Sequence, residues 1–386
     1  MPKAYAIILA AGYSQRMGQC KAVLPLGENS ALQTLADAFI QAKVTPIVVT
    51  GYAKEPVESE CNRLGLQTVY NAQFDSGMYS SVQAGCTALP DDAEIFFVTP
   101  VDIPLIRSRT IAALLQYAQT TDALIIHPVL DAGIHTSFPD SLLKSRDYRG
   151  HPPCLDISIK NDILAYNGDG GLAQLLNRFT ESTQYLSVID SNMMRDMDTP
   201  QDYETICHLH AVQSVPSLEE CYAIWNTVKL PEPIRRHSIA VTDIARIMLK
   251  GIPAATQLFS QTVIAGAMLH DIAKGQAKHA SAGAKLIAEL GFPALAECIA
   301  NHSHMTAQKG AITEAELVFL ADKFVTGTTR CTLEHRYEQK LAMFADSPEA
   351  VTAIRQKLLE AQAILAKVET VTCADYNTLL ADEGEH

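Results

Sequence analysis

One stretch decides the fold of the first half of the chain: residues 7–21, which read IILAAGYSQRMGQCK. Its apolar beginning is typical of a parallel strand that is covered on both faces. The strand runs into Gly12 and Gly18, which let the backbone turn sharply and approach a ligand closely. Main-chain N–H groups in such a loop bind anions, and Arg16 and Lys21 add positive charge there. The stretch predicts a polyphosphate site, although a tight turn after a strand also explains the glycines.

Length and composition indicate a two-domain globular protein. The chain has 386 residues, 48% of them hydrophobic and 19% charged. Its net charge of −13 argues against non-specific nucleic-acid binding, which needs a basic face. No apolar run reaches the ~18 residues of a membrane span, and no signal-peptide pattern is found. The nine cysteines form no CxxC pair. We therefore expect a cytoplasmic protein with reduced thiols that binds neither nucleic acid nor membranes.

The pattern of secondary structure changes near residue 212. Before it, short apolar runs such as residues 95–99 alternate with helical stretches, which predicts a mostly parallel sheet with helices on its faces. After it, Ser217 and Glu220 have the spacing of a capping box, and helical stretches continue to about residue 368 without a convincing strand. We predict a Rossmann-like α/β domain at 1–207, a linker at 208–216 and an all-helical domain at 217–386.

An acidic residue follows a second buried strand. Asp102 lies just beyond the apolar run 95–99, at the carboxyl end of that strand, where ligands of open α/β sheets bind. A carboxylate beside a polyphosphate is a suitable Mg²⁺ ligand. The alternative is that Asp102 caps the helix that follows.

The order of short motifs resembles the molybdenum-cofactor nucleotidyltransferases, whose first motif is LAxGxSxRMGxxK. Further matching segments are GMYSSVQAG at 77–85, VDIP at 101–104, RGHPP at 149–153, GDGG at 168–171 and DMDTPQDY at 196–203. Together they cover about the first 205 residues. The resemblance implies a nucleotidyltransferase that moves a nucleoside monophosphate from an NTP to a phosphorylated pterin and releases pyrophosphate.

The resemblance also assigns roles to single residues. It makes Arg16, Lys21 and Asp102 catalytic. The nucleotide-binding residues that it implies are Leu9, Ala10, Ala11, Gly12, Ser14, Arg16, Met17, Gly18, Lys21, Ser80, Ser81 and Asp102. Mg²⁺ would be held by Asp102 together with Asp196 or Asp198, and it would orient the in-line attack.

The resemblance implies CTP, or another NTP, as one partner. Ala11 favours CTP, because the LAAG form of the motif tends to accompany cytidine and the LAGG form guanosine. A molybdopterin-like phosphorylated acceptor and a molybdoenzyme that receives the cofactor are the other implied partners. Two departures lie on the acceptor side: Ala173 replaces the arginine of the family, and the segment 131–148 is longer than expected. A phosphorylated sugar or alcohol as acceptor therefore stays open, as does a non-catalytic protein that binds nucleotide and delivers cofactor.

The helical half carries a second set of candidate ligands. Five histidines and two aspartates fall within about 90 positions: His237, His270, Asp271, His279, His302, His304 and Asp322. A single histidine in an apolar helix is usually an ordinary core residue. A buried carboxylate, however, is costly unless it is paired or bound to metal, and Asp271 follows a helix that is apolar almost all round.

This second pattern resembles the HD-domain phosphohydrolases. The residues that match their metal ligands are His237, His270, Asp271 and Asp322, with His279 and His302 in the positions of the two-metal branch. His304 stays an alternative to His302. The resemblance implies one or two divalent transition-metal ions (Fe, Mn, Co or Ni), with Asp271 as a catalytic residue. A structural metal site is the alternative, but it usually closes with four ligands. Lys274 is either a phosphate contact or a solvated helix-end lysine.

Overall fold

The computed structural model describes residues 2–132, 149–253, 256 and 258–381. The chain divides into two compact units, Met1–Ala211 and Val212–His386. Of the long segment 131–148 noted in the sequence, residues 133–148 lie outside the described residues. Among the helices of the described part, none is both long and apolar enough to cross a membrane.

The first unit is built on a seven-stranded sheet. In chain order the strands of this unit are β1 Ala4–Ala10, β2 Pro25–Leu26, β3 Asn29–Ser30, β4 Thr45–Thr50, β5 Gln67–Tyr70, β6 Ile95–Pro100, β7 Ile125–Val129, β8 Cys154–Asp156 and β9 Thr183–Ser187. The sheet has the order β5-β4-β1-β6-β8-β7-β9, while β2 and β3 form a separate hairpin. Strand β8 is antiparallel to both neighbours and the other pairings are parallel, so the predicted mostly parallel sheet is confirmed.

Helices cover both faces of this sheet. They are α1 Ala31–Gln41, α2 Lys54–Leu64, α3 Met78–Thr87, α4 Ser108–Ala118, α5 Lys160–Ala165, α6 Gly171–Leu176 and α7 Pro200–Ala211. Ile8 lies in one core cluster and Ile7 in another, so alternate side chains of β1 enter opposite cores. The continuous apolar run of β1 follows from this burial on both faces. Helix α7 extends over residues 208–211, which the sequence interpretation gave to the linker.

The register of the central strands positions the first site. Leu9 of β1 lies opposite Val49 of β4 on one side and Pro100 of β6 on the other. The chain therefore leaves β1 and β6 at the same edge of the sheet. This edge brings the glycine-rich loop and Asp102 together, as expected for the carboxyl ends of parallel strands.

The second unit is almost entirely helical. Its helices are α8 Leu218–Thr227, α9 Glu232–Gly251, α10 Ser260–Leu269, α11 His279–Glu289, α12 Ala296–Asn301, α13 Glu314–Lys323, α14 Leu333–Met343, α15 Pro348–Thr372 and α16 Tyr376–Ala381. The capping box of Ser217 and Glu220 is confirmed, since each side chain binds the backbone N–H of the other. The sequence did not predict the short hairpin of β10 (Val325–Thr326) and β11 (Thr329–Arg330). Strands of two residues are too short to show an alternating pattern.

Two candidate active sites

A cavity of about 420 Å³ opens in the first unit where β1 and β6 end. We call it the glycine-loop cavity. Of the residues expected to bind nucleotide, those that line it are Leu9, Ala10, Ala11, Gly12, Ser14, Arg16, Lys21, Ser81 and Asp102. Asp198 also lines it, although it lies far along the chain from the loop.

The loop itself is folded as a compact turn. The backbone N–H groups of Met17 and Gly18 both donate to the carbonyl of Ser14. Ser14 and Gly18 take positive φ values of 52° and 70°, which only glycine adopts without cost. The Met17 side chain packs in a buried apolar cluster with Leu24 and Leu26. Met17 therefore holds the loop against this apolar cluster and does not line the cavity.

Charged groups of opposite sign meet on the wall of the glycine-loop cavity. Lys21 Nζ lies 2.9 Å from Asp102 Oδ2 and 2.5 Å from Asp198 Oδ1. Arg16 Nη2 lies 2.6 Å from Asp198 Oδ2. Burial lowers the pKa of Lys21, but hydrogen bonds to the two carboxylates outweigh it and leave that pKa raised. The hydrogen bond from Lys21 is also the main cause of the lowered pKa of Asp198. Lys21 and Asp198 are therefore charged at neutral pH.

The geometry separates the two acids proposed as alternative Mg²⁺ ligands. Asp198 is paired with Lys21 at the cavity wall, whereas Asp196 is exposed and does not line the cavity. The pKa of Asp196 is raised by partial desolvation and by the negative charges of Asp198 and Asp102. Two carboxylates on one cavity, Asp102 and Asp198, are the hard oxygen donors that Mg²⁺ prefers, so the residues present fit that ion.

Several expected roles have a different structural setting. The Ser80 hydroxyl donates to the carbonyls of Gln73 and Gly77, so this side chain closes a turn and does not line the cavity. Asp102 does not cap the next helix, because α4 begins after Arg107. Gly18 is also absent from the cavity wall.

The sequence analysis missed an aromatic side of the cavity. Tyr13 and Phe74 line it, and their ring centroids lie 5.8 Å apart. Tyr52 packs on Tyr13 at 4.7 Å. In the sequence, the position of Tyr13 between Gly12 and Ser14 was the one indication that this side chain lies at the cavity. No sequence feature indicated a role for Phe74 in the cavity wall.

The second unit gathers its histidines around one carboxylate, that of Asp271. The imidazoles come from α9 and from the ends of α10, α11 and α12. The Nε2 atoms of His302 and His279 lie 3.3 and 3.4 Å from Asp271 Oδ1. Those of His270 and His237 lie 3.6 and 4.0 Å from Oδ2. Asp271 therefore stands between two groups of ligands, as a residue that bridges two ions does.

Asp322 of α13 completes the first of these groups. Its Oδ1 lies 3.2 Å from His237 Nε2 and 3.8 Å from His270 Nε2. Its Oδ2 lies 2.6 Å from the buried Lys323 Nζ. Burial acts to raise the pKa of Asp322, but the charge of Lys323 and the hydrogen bond of His237 hold it well below the usual value. The pKa of Asp271 is likewise held below its usual range, against its burial, by His270 and His302.

The backbone fixes which ring nitrogen faces the cluster. Nδ1 of His237, His270 and His302 lies 2.7, 2.8 and 2.6 Å from the carbonyl oxygens of Gly327, Ala267 and Ile299. A carbonyl only accepts, so Nδ1 carries the proton, and the neutral form of each ring presents a lone pair at Nε2.

Ser303 Oγ lies 3.0 Å from His302 Nε2 and can donate to it, but other acceptors of the cluster lack such a partner in the described part of the chain. Within the described residues, the buried atoms His270 Nε2 and Asp271 Oδ1 have no hydrogen-bond partner. Nε2 of His279 and His302 are only 3.2 Å apart. Divalent transition-metal ions fit this donor set of imidazole and carboxylate. His302 rather than His304 is the candidate ligand, because His304 belongs to neither candidate group and is exposed.

A cavity of about 640 Å³ opens over this cluster. Lys274 lies at its mouth, with Nζ 2.9 Å from Asp271 Oδ2. The further cations on its wall are Lys323, Arg336, Lys340 and Lys357. None of these four was predicted from the sequence. Their only signal was the four-residue spacing of Arg336 and Lys340, which places both on one helix face.

In the comparisons with known proteins, the two units match different families. Residues 6–184 match the MobA-like NTP transferase domain, and residues 234–327 match the HD domain. The chain is 26% identical over 206 residues to a molybdenum cofactor cytidylyltransferase of Escherichia coli K12, covering 52% of this chain and 93% of that protein.

Two further similarities concern the first unit alone. A molybdenum cofactor guanylyltransferase of Xanthomonas euvesicatoria is 32% identical over 113 residues, which are 29% of this chain and 54% of that protein. A solved nucleotidyl transferase from Methanothermobacter has 22% identity and a TM-score of 0.45, covering 54% of this chain and 98% of that one. The chain is thus an enzyme that joins a MobA-like NTP transferase domain to an HD domain.

Proposed function

We propose that the protein is a bifunctional nucleotide enzyme. Its first activity is Mg²⁺-dependent cytidylyl transfer from CTP to molybdopterin with release of pyrophosphate, and its second is metal-dependent phosphohydrolysis. The observation that carries the first activity is the contact of Lys21 with both Asp102 and Asp198 in the glycine-loop cavity.

Arg16 and Lys21 bind the triphosphate in this proposal. Both cations line a cavity of about 420 Å³, whose wall runs from the glycine-rich loop to the start of α3 and whose volume is within the range of small-molecule sites. As the acceptor phosphate oxygen bonds to the α-phosphorus, the bond to the pyrophosphate oxygen breaks, and Lys21 stabilises the charge on the leaving group. Asp102 and Asp198 would hold Mg²⁺, which supplies charge neutralisation and orients the phosphates.

The proposed preference for CTP rests on Ala11, the second alanine of the LAAG motif. Its side chain is buried, and a Cβ placed on Gly51 would lie only 2.6 Å from Ala11 Cβ. The methyl group therefore has a fixed position at the cavity wall. The similarity to the Escherichia coli relative, which is a cytidylyltransferase by name, also supports the proposal of CTP. We propose molybdopterin as acceptor and a molybdoenzyme as the recipient of the product.

Pyrophosphate release tests the transferase proposal. With Mg²⁺ present, we expect release from CTP, and much less from GTP, only when molybdopterin is added. Turnover with a sugar or alcohol phosphate instead would replace the acceptor. Nucleotide binding without any turnover would favour a cofactor-delivery protein.

The HD domain carries the proposed hydrolase. Asp271 lies between two ligand groups, and that arrangement is the observation that supports hydrolysis over a structural metal site. A bound metal pair would activate water and offset the charge of the phosphate. In the reaction a water oxygen bonds to phosphorus, the ester bond breaks, and a proton passes to the leaving oxygen. Lys274 lies where a bound phosphate can contact it.

Phosphate release after metal loading tests the hydrolase. Protein stripped of metal and reloaded with Fe²⁺, Mn²⁺, Co²⁺ or Ni²⁺ is assayed with p-nitrophenyl phosphate and with nucleotides. We expect activity with at least one ion. A protein that unfolds on metal removal and never hydrolyses a phosphoester would show a structural site. The boundaries at 207 and 217 remain part of the proposal, and limited proteolysis within 208–216 tests them.

A further inference from the structure

The cavity over the HD cluster is strongly cationic. Its lining includes five lysine or arginine side chains against two carboxylates: Lys274, Lys323, Arg336, Lys340 and Lys357 against Asp271 and Asp322. The chain as a whole carries a net charge of −13. Positive charge is thus concentrated in this cavity against the sign of the protein.

The five cations fall into two groups. Lys274, Lys323 and Arg336 are each paired with a candidate metal-ligand carboxylate, at 2.9, 2.6 and 3.7 Å. Lys340 of α14 and Lys357 of α15, by contrast, line the cavity without an ion pair to any described residue, and Lys340 Nζ lies 5.6 Å from the centre of the Tyr337 ring. Both lie beyond residue 327, where the match to the HD domain ends. The second group is therefore an addition to the metal cluster and does not serve to hold its ligands.

One face of α14 places Arg336 and Lys340 beside the cluster. Arg336, Gln339, Lys340 and Met343 line the cavity with the spacing of a single helix face. Arg336 Nη1 donates to the carbonyl oxygens of Asp322 and Val325, which ties α14 to the helix that carries a metal ligand. This wall is thus rigidly placed for a ligand that also reaches the metal site.

Lys340 lies among other cations in a partly buried part of the cavity wall. Burial, followed by the charges of Arg336 and Lys323, lowers the pKa of Lys340 to about 8. Lys357 adds to this repulsion. Like charges gathered in a partly buried wall are unfavourable, and a bound anion would relieve their repulsion. A volume of about 640 Å³ is within the range of cavities that bind nucleotide-sized ligands.

We propose that Lys340 and Lys357 form a second anion subsite, which binds an anionic group beyond the phosphate that is hydrolysed. The inference rests on the proposed phosphohydrolase activity of the same cavity. The HD site then selects substrates with at least two linked phosphates over simple phosphate monoesters.

Matched substrates in the full-length, metal-loaded enzyme test this subsite. The variants are Lys340→Gln, Lys357→Gln and the double variant, assayed with ADP and with p-nitrophenyl phosphate. We expect each single change to raise KM for ADP about tenfold, and the double change about 100-fold, since each removes a charged hydrogen bond. Hydrolysis of p-nitrophenyl phosphate stays unchanged. Arg355→Gln, on an exposed position of α15 that does not line the cavity, is the control and changes neither.

Two outcomes would overturn the subsite. In one, the double variant hydrolyses ADP with the same KM as the wild type. In the other, it loses both substrates equally, which would show an effect on the fold or on the scissile phosphate.

A binding experiment separates this inference from the hydrolase proposal. If the wild type hydrolyses neither substrate, the hydrolase proposal fails. Inorganic tripolyphosphate is then titrated into the chain with Lys21→Ala, which weakens the glycine-loop cavity. Tighter binding with Lys340 and Lys357 present than in the double variant supports the anion subsite, and equal binding rejects it.

Discussion

The two cavities differ in how their charged groups are paired. In the glycine-loop cavity Lys21 lies between the carboxylates of Asp102 and Asp198, so each charge already has a partner. In the HD cluster lone pairs of His270 and Asp271 face one another, and within the described part of the chain the buried atoms His270 Nε2 and Asp271 Oδ1 have no hydrogen-bond partner. The carboxylates of both sets contact cations, but only the HD cluster keeps, among the described residues, buried acceptor atoms that a bound metal ion would satisfy.

This difference separates two ways of using metal. A balanced set of ion pairs can exchange its partners when a nucleotide arrives with its Mg²⁺, so the ion need not be retained between turnovers. A buried set of acceptors is costly without its cation, so the ion becomes part of the folded unit. We therefore expect the transferase metal to exchange freely and the HD metal to be resident.

The largest expected effect is that of a substitution at Asp271, which belongs to both candidate ligand groups. Asp271→Asn keeps the shape but removes the charge that lies between both ligand groups, so phosphohydrolase activity should fall by about 1,000-fold or more. Phosphate release measures it. Pyrophosphate release by the transferase should be unchanged, and its loss in the same variant would mean that the two units do not act separately.

Lys21→Ala should have the opposite effect: it should lower transferase activity and leave phosphohydrolase activity unchanged. It removes the cation that contacts both acids and that would bind the triphosphate in the proposed reaction, so the transferase rate should fall about 100- to 1,000-fold. Pyrophosphate release gives the rate, with Lys250→Ala as an exposed control. A loss of less than about tenfold would show that Lys21 only balances the carboxylates.

A pair of isosteric changes distinguishes the two acids near Lys21. Asp198→Asn should lower transferase activity about 100-fold, because Asp198 lines the cavity and contacts two cations. Asp196→Asn should lower it by less than about tenfold, because that residue is exposed and off the cavity wall. Titration of activity with Mg²⁺ measures both. The opposite ranking would assign the ion to Asp196.

The smallest effect concerns nucleotide choice. Ala11→Gly removes one buried methyl group from the cavity wall, and a group of that size changes discrimination by about tenfold. The ratio of kcat/KM for CTP and GTP should shift towards GTP by that factor. An unchanged ratio would place nucleotide selection elsewhere, with the aromatic side at Tyr13 and Phe74 as the next place to test.

The sequence predicted what depends on local pattern. The buried run 95–99 became β6, and the helix predicted from the capping box at Ser217 begins there. The histidines around Asp271 could be found because adjacent His-Asp and widely spaced partners in apolar helices are unusual. In each case a short stretch of residues carried the physical reason for the structure.

What the sequence did not predict depends on contacts between distant positions. The pairing of Lys21 with Asp198 joins residues 177 positions apart, so the choice between Asp196 and Asp198 needed the fold. Ser80 and Ser81 are adjacent, yet only Ser81 lines the cavity, because α3 turns the Ser80 hydroxyl towards Gly77. Lys340 is one of many helical lysines in the sequence, and only the packing of α14 beside the cluster gives it a role.

The bound-metal content of the protein tests the central contrast most directly. Full-length wild type, Asp271→Asn and Lys21→Ala are expressed with added transition metal, freed of loose ions by gel filtration and analysed by mass spectrometry for metals. We predict about two retained transition-metal ions per chain in the wild type and in Lys21→Ala, and loss of both from Asp271→Asn. Retention of no transition metal by the wild type, or full retention by Asp271→Asn, would contradict a resident metal pair in the HD domain.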